Sequence, residues 1–542
     1  MKTALRTTSA LALASLALAL VSTPAMAQTP AADPAAASDD SAPGEIVVTA
    51  QKRTERLQDV PVAVSVLGAD ALATNPKANL EGAVQLVPAL NFVKAGTALN
   101  QALFLRGLGT ITLSIAVEPT VSTVLDGVVL SRPAEAFSDL TDIERIEVLR
   151  GPQGTLFGKN ASAGVINIVS KHPRSEFGGE FEAGYFFSNG NEYRMKGAID
   201  IPLSPSLRTR TTAFYDHYDG NIFNIAPNVN HRVNGLEHYG IRTMIDADLG
   251  ENTKLTLIAD YHHNNDECCA DIIGGPPLFG FGSTAGTPGT PNPTPLALIQ
   301  TVLPTLAYDK TRTVNQNLIT RTIETGYGFS GQFDVGVGEH TITSITAYRN
   351  FANNEIRDGD FYPRAFIGAP QSHDTGPQTG HTFSQELRLT SPGKQFFNYV
   401  LGAYYSDTYT NRVFRRDNTI CSAVTGAVLP AGVFTPCTSA LANPSTTAFG
   451  QATYSAKQRN FAVFAQGTIN VSERFRLIAG ARYTSDKVEV SFIRITSPGN
   501  GASNPPFDQG VFNAYTALIA AGTAAPAAQT AAAASAERSM SV

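Results

Sequence analysis

The feature that most constrains this chain is a two-residue alternation sustained over unusually long stretches. In 191–203 the odd positions carry Tyr193, Met195, Gly197, Ile199, Ile201 and Leu203, with Arg194, Lys196 and Asp200 between them. In 320–335 Ile323, Tyr327, Phe329, Phe333 and Val335 oppose Glu324, Ser330, Gln332 and Asp334. In 474–486 Phe475, Leu477, Ala479, Ala481 and Tyr483 oppose Arg474, Arg476, Arg482 and Asp486. Successive strand side chains point to opposite faces, so each stretch reads as a strand with one apolar and one polar side. About eleven such segments follow residue 176, near 177–188, 191–203, 206–220, 236–250, 252–266, 320–336, 339–353, 381–392, 395–411, 457–471 and 474–492. Most are longer than the roughly five or six residues of a soluble strand.

The connections are asymmetric. After every even segment the link is a tight turn, at 203–206, 250–252, 336–339, 391–394 and 471–474. After most odd segments the link is long; the first is the exception. A soluble sandwich gives no reason for this, whereas a membrane barrel with short periplasmic turns and long outside loops does. No run of ~18 apolar residues follows the N-terminal segment, so a membrane-crossing mature chain has to cross by strands. With a separate domain ahead of the first strand on the periplasmic side, odd strands run outward. Segments 221–235, 267–319, 354–380 and 412–456 then face the outside.

The N-terminus carries Lys2 and Arg6, an apolar run from Leu11 to Val21, and Ala25-Met26-Ala27. That is a secretory signal, with cleavage expected after Ala27 and 1–27 removed. Residues 28–44 are Ala, Pro, Asp and Ser with almost no large apolar side chain, a composition that cannot bury enough surface to fold. The flexible tether is assigned to 28–54 and includes Glu45-Ile46-Val47-Val48-Thr49-Ala50, a β-prone hexapeptide standing alone before Gln51-Lys52-Arg53. Such a strand is either a template for pairing with another chain or the first strand of the next domain. Residues 55–173 mix short strands, helical spacing at Leu80 to Leu86 and Gly-rich turns, as in a compact α+β domain.

Forty basic against 46 acidic residues give a net charge of −6. No basic stripe marks a nucleic-acid surface, and no nucleic-acid partner is expected. The 46 Gly, 29 Phe and 17 Tyr suit strands and turns. An exported chain permits disulfides, and Cys421 with Cys437 is the favoured pair of the four cysteines; Cys268 and Cys269 are adjacent. His262, His263, Asp266, Glu267, Cys268, Cys269 and Asp271 are dense in ligand types. His262 and His263 are consecutive on a strand and face opposite ways, which favours a polar loop mouth over a metal site. Residues 154–160 miss the phosphate-loop spacing, with Asn160 where Ser or Thr is needed. No catalytic constellation is recognisable, so no enzyme activity and no cofactor are expected.

The order of signal, tether, lone hexapeptide, α+β domain and barrel strands resembles the TonB-dependent receptor family. Glu45 to Ala50 looks like the TonB box. The following domain carries Leu105-Arg106-Gly107, Val124-Leu125-Asp126-Gly127-Val128, the run from Ile143 through Arg145, Glu147, Arg150, Gly151 and Gly154 to Gly158, and Gly164-Val165-Ile166-Asn167. This is similar to the family's plug signature, and the resemblance covers about 45–490. Glycines at 151, 154, 158 and 164 allow tight turns and positive φ. Arg106, Arg145, Glu147 and Arg150 suit a plug surface facing a polar wall. The implied fold is an α+β plug domain followed by a transmembrane antiparallel β-barrel, the barrel assigned to 174–492.

The implied function is energised uptake of a scarce ligand, foremost a ferric siderophore, across the outer membrane of a Gram-negative cell. The partners would be TonB with its inner-membrane complex, the ligand and outer-membrane lipid. Oligosaccharide, cobalamin or an aromatic compound are the alternative ligands. A signalling receptor would need a further periplasmic domain, and only 17 residues separate Ala27 from Glu45. Family barrels have 22 strands. About eleven are expected here, with 493–542 an outside loop, so the chain reads as the plug-bearing half of a receptor. Two unpaired edges in lipid are costly, and the alternative is a non-transporting fragment.

Overall fold

In a computed structural model the described residues are 46–496, apart from 74–79, 95–100, 111–113, 133–134, 136–141, 188–189, 271–311, 368–369, 394, 431–434 and 473–474. The expected signal segment, Glu45, most of the tether, Asp271 and the tail beyond 496 lie outside the described residues.

Strands β1 (Val47–Val48) and β2 (Glu55–Arg56) form a two-residue antiparallel ladder. Then follow β3 (Ala63–Gly68), α1 (Ala69–Ala73), α2 (Leu80–Leu86), β4 (Leu90–Lys94), β5 (Gln101–Leu105), β6 (Leu108–Gly109), β7 (Val121–Leu125), β8 (Val128–Val129), β9 (Ile143–Arg150), α3 (Gly154–Phe157) and β10 (Gly164–Ser170). A five-stranded sheet runs in the order β3-β9-β10-β7-β8, and β4-β5-β6 form a smaller one. The inner strand β10 pairs parallel to β7 and antiparallel to β9. β10 is covered on both faces, which is why Gly164–Ser170 reads as a largely apolar run rather than an alternation. Ile146, Val148, Ile166 and Ile168 pack with Leu80 and Ala83 of α2 and with Leu105. Burying each large aliphatic side chain stabilises by roughly 1.5–3 kcal/mol.

The turn chemistry explains two sequence pairs. Arg106-Gly107 joins β5 to β6 with φ of 53° and 79°, and Asp126-Gly127 joins β7 to β8 with φ of 46° and 80°. Two-residue hairpins favour turns with positive φ at both positions, and Asp-Gly supplies that most cheaply. Gly164 is constrained by contact instead: a Cβ there would strike the Leu105 side chain and the Leu149 carbonyl. Gly151 and Gly158 take the expected positive φ. Gly154 does not; it opens α3, where the chain is already helical and no turn is needed.

The second part contains β11 (Gly178–Phe187), β12 (Asn191–Ser204), β13 (Leu207–Tyr218), β14 (Ile222–Asn224), β15 (His231–Val233), β16 (Leu236–Gly250), β17 (Thr253–Asp266), β18 (Thr313–Val314), β19 (Arg321–Val337), β20 (His340–Asp358), β21 (Gln371–Thr390), β22 (Phe397–Ile420), β23 (Thr446–Ser472) and β24 (Phe475–Thr496). Eleven of these form one antiparallel sheet in chain order, from β11 to β24; β14, β15 and β18 make a separate small sheet. Lys171 reaches Glu180 on β11 and Lys159 reaches Asp486 on β24, so the sheet curves around the N-terminal domain.

The alternation sorts as expected. Phe329 is 57% exposed on the outer face, while Asp200 and Arg210 are buried on the inner one. An outward belt of exposed aromatics this extensive marks a membrane surface. Near the outward ends Tyr193 meets His217, Tyr239 meets His263, and His381 lies between Tyr348 and Tyr409. No described helix is long and apolar enough to cross a membrane.

Two outer segments differ from expectation. Strands β20 to β23 continue past the alternating stretch, so 354–380 and 412–456 are largely strand and only 359–370 and 421–445 connect them. Above the lipid both faces meet water, so the ladder continues without the alternation that betrays it. Segments 221–235 and 312–319 likewise contain β14, β15 and β18, too short for a periodic signal.

Candidate functional site

The hexapeptide is not a lone strand here. Val47 pairs with Arg56 and Val48 with Glu55. The Thr49 carbonyl accepts a hydrogen bond from the Lys52 amide, and Lys52 takes φ 57° to close the bend. Val48 and Ala50 are buried against Val60, Leu149, Leu156, Phe157 and Val165. The polar face is equally specific. The Thr49 amide donates to Glu147 Oε1 at 2.9 Å. Asn167 Nδ2 donates to Thr49 Oγ1 at 3.0 Å and to Glu147 Oε2 at 3.1 Å. Arg145 Nε donates to Glu147 Oε1 at 2.9 Å. Glu147 is wholly buried, so it faces the hairpin, not the wall as its charge suggested. Arg106 is exposed at its turn, and Arg150 ends β9 opposite Gly164.

Just after the hexapeptide, Lys52 Nζ lies 2.6 Å from both Glu386 oxygens on β21. Its ammonium also sits over the Phe157 and Phe464 rings, at 5.5 and 5.3 Å. Burial pushes the Lys52 ammonium down to about 8, against the opposing pull of Glu386. A two-residue ladder contributes little stability by itself. The hairpin is therefore held mainly by its buried Val48 and Ala50 and by the hydrogen bonds of Thr49 to the Glu147 carboxylate.

The domain meets the inner wall through charges that sequence reading did not single out. Arg210 of β13 bonds Asp142 at 2.6 and 2.7 Å and Asp200 at 2.6 Å, and also reaches Glu180. Burial pushes the Asp142 carboxyl up, but hydrogen bonds from Arg210 and Thr212 outweigh it and hold it below the usual carboxylate range. Arg242 pairs with Asp126. Arg132 stacks 3.3 Å above the Phe351 ring and reaches Glu324, while Arg349 binds Glu135 and Asp260. Buried pairs of this kind fix position more than they stabilise. Period-two spacing marks Arg210, Glu324 and Glu386 as inward, but nothing in the sequence names their partners.

The ligand-type cluster does not assemble. His262 points inward, 3.5 Å from Glu324, and His263 points outward to Thr325 at 2.9 Å. Cys268 and Cys269 are joined to each other, and Cys421 is joined to Cys437. No group of three His, Cys, Asp or Glu able to hold a metal occurs among the described residues.

Comparison with known proteins bears on this arrangement directly. The family described as TonB-dependent Receptor Plug Domain matches residues 56–165. The family described as TonB dependent receptor-like, beta-barrel, matches residues 271–519. The chain belongs to the TonB-dependent receptor family. The plug is the α+β domain and the partial barrel is the eleven-stranded sheet. Among curated TonB-dependent receptor relatives, the pesticin receptor of Yersinia pestis is 33% identical over 163 residues, 30% of this chain and 24% of that one. The catecholate siderophore receptor Fiu of Escherichia coli (strain K12) is 24% identical over 484 residues, 84% of this chain and 57% of that one. The chain thus spans between about a quarter and somewhat over half the length of these relatives.

Solved receptors share the fold. The ferric yersiniabactin uptake receptor FyuA from Yersinia pestis superposes with a TM-score of 0.52 at 16% identity, covering 80% of this chain and 62% of that one. The ferripyoverdine receptor of the outer membrane of Pseudomonas aeruginosa gives 0.57 at 16% identity, covering 84% and 56%.

Proposed function

We propose that this chain serves energised uptake of a ferric siderophore at the outer membrane of a Gram-negative cell. In this reading Glu45 to Ala50 is the TonB box. The observation that carries it is the hairpin. A strand docked by a two-residue ladder and one buried carboxylate can leave as an extended segment and add to the sheet edge of a periplasmic partner. The relatives support the ligand class: they are named for a catecholate siderophore, ferric yersiniabactin and ferripyoverdine. Arg106, Gly107, Asp126, Gly127, Arg145, Glu147, Arg150, Gly151, Gly154, Gly158, Gly164 and Asn167 then serve to shape the plug and seat the box. The Cys421–Cys437 bond staples an outer loop.

The test is radiolabelled iron uptake by cells expressing the chain, with ferric catecholate, hydroxamate and citrate chelates offered separately. Uptake or surface binding of at least one chelate, lost on box disruption by Val48→Pro, is the expected result. If no ferric chelate binds while an oligosaccharide or a corrinoid does, the siderophore reading fails.

A further inference from the structure

The lipid-facing side of the large sheet changes chemistry toward its last two strands. On β19 to β22 aromatic rings touch in a chain near the outer ends: Tyr327 and Tyr348 at 6.4 Å, Tyr348 and His381 at 6.1 Å, and His381 and Tyr409 at 5.7 Å. Such a girdle lies at the depth where acyl chains meet headgroups. The chain of rings stops at Tyr409. Directly across the ladder from Tyr409, on β23, stands Lys457. Two residues further, Arg459 pairs across the ladder with Asp407 of β22 and with Lys487 of β24. Strand side chains two apart share a face, so Lys457 and Arg459 point outward with the exposed Phe461. Lys487 and Glu489 likewise share the outward face of Tyr483.

These three cations face two carboxylates. Asp407 is shared, 3.6 Å from Lys457 and 3.3 Å from Arg459, while Glu489 lies 2.5 Å from Lys487. The Lys457, Arg459 and Lys487 side chains keep 37, 43 and 65% of their surface exposed. Ion pairs this exposed contribute little, so the cations remain available to a stronger anion such as phosphate. Toward the middle of the membrane, Tyr405, Phe461 and Tyr483 present bare ring surface on the same face. Cations above and rings below fit an amphiphile with an anionic head and apolar chains. The other arc of the sheet differs: Glu237 of β16, outward across from His217, is acidic and repels such a head.

We propose that the outward face of β22 to β24 docks a lipid whose headgroup carries phosphate. Lys457, Arg459 and Lys487 hold the head, and the acyl chains lie over Tyr405, Phe461 and Tyr483. The arginine offers phosphate a two-pronged donor and the lysines add point charges from one ladder step away. This rests on the outer-membrane placement proposed above, which puts the face in the outer leaflet. It is independent of which chelate is taken up.

The test uses the purified full chain in neutral detergent micelles doped with one of two probes. One is a bisphosphorylated glycolipid; the other is the same glycolipid with its phosphates removed. Native mass spectrometry counts the lipid that stays bound, and inorganic phosphate is added as a competitor. A cation beside an anionic lipid surface is worth about five-fold in affinity. The phosphorylated lipid should therefore be retained about ten-fold or more above the other and resist inorganic phosphate. The combined variant Lys457→Gln, Arg459→Gln and Lys487→Gln should lose retention by about ten-fold or more. Asp407→Asn frees two cations from their shared carboxylate and should raise retention by about five-fold, which a merely structural ion pair would not do. Equal retention of both lipids would mean apolar adhesion alone. Displacement by inorganic phosphate would mean a general anion site. Unchanged retention in the triple variant, or no rise in Asp407→Asn, would place the lipid elsewhere. Each of these results overturns the proposal, and none of them touches the uptake reading, which is decided by ferric chelates.

Discussion

The Lys52–Glu386 contact yields the sharpest prediction, because burial and pairing pull in opposite directions. The drop of the Lys52 ammonium from the usual 10.5 to about 8 means that keeping it charged in the docked hairpin costs about 3 kcal/mol relative to water. Glu386 keeps a second cation, Arg388 at 3.1 Å, when Lys52 is removed. Lys52→Met retains the stem between Phe157 and Phe464 and discards the charge, so it should tighten docking. Glu386→Gln leaves the lysine buried without its anion and should loosen it, within the 3–5 kcal/mol typical of a broken buried pair. Trypsin cleavage at Arg53, mapped by mass spectrometry, reads the released population as long as docking is fast relative to cleavage. The pH dependence follows in sign. Lys52 binds its proton less readily when docked, so docking strengthens as pH rises from about 8 toward 10.5. Release should fall about ten-fold between pH 7 and pH 9, after correction for trypsin activity, and Lys52→Met should abolish that slope. If Lys52→Met releases the hairpin as Glu386→Gln does, the pair is a net clasp and the burial argument is wrong.

Other positions give independent checks. Arg210→Met strands Asp142, Asp200 and Glu180 without their shared cation and should cost about 3–5 kcal/mol, read as a lower thermal unfolding temperature. Because the Asp142 carboxyl is held below its usual range, this anchor is at full strength above the ordinary carboxylate value of ~3.9 and weakens as pH falls through the lowered one; acid unfolding should move to higher pH in the variant. Gly164→Ala drives a methyl into Leu105 and the Leu149 carbonyl and should destabilise the plug by about 1–3 kcal/mol or more in denaturant titration. Cys421→Ser opens a loop of 16 residues' separation; the loss of about 3 kcal/mol should appear as faster proteolysis of 421–445 with the rest of the sheet unchanged.

How much of this was readable in advance depends on where the physics is local. The eleven sheet strands were legible because lipid forces one face to be apolar, and Tyr193 through Leu203 show that pressure residue by residue. Beyond the lipid the pressure stops, and the outer reaches of β20 to β23 left no trace. The turns at Arg106-Gly107 and Asp126-Gly127 were visible because two adjacent positive φ angles need particular residues. The hairpin and its seat were not. Glu147 looked like a surface charge, and its burial depends on Thr49 arriving from 98 positions away. Lys52 and Glu386 are 334 positions apart, and no spacing rule links them.

The central claim is that the segment ending at Ala50 is a detachable strand that a periplasmic partner captures. The most direct measurement is retention of the purified periplasmic domain of TonB on the immobilised full chain, compared with Val48→Pro, which removes a ladder donor from the strand. Retention by the unaltered chain and loss in the variant is the predicted result. Equal retention by both, or none by either while trypsin still reaches Arg53, would contradict the account.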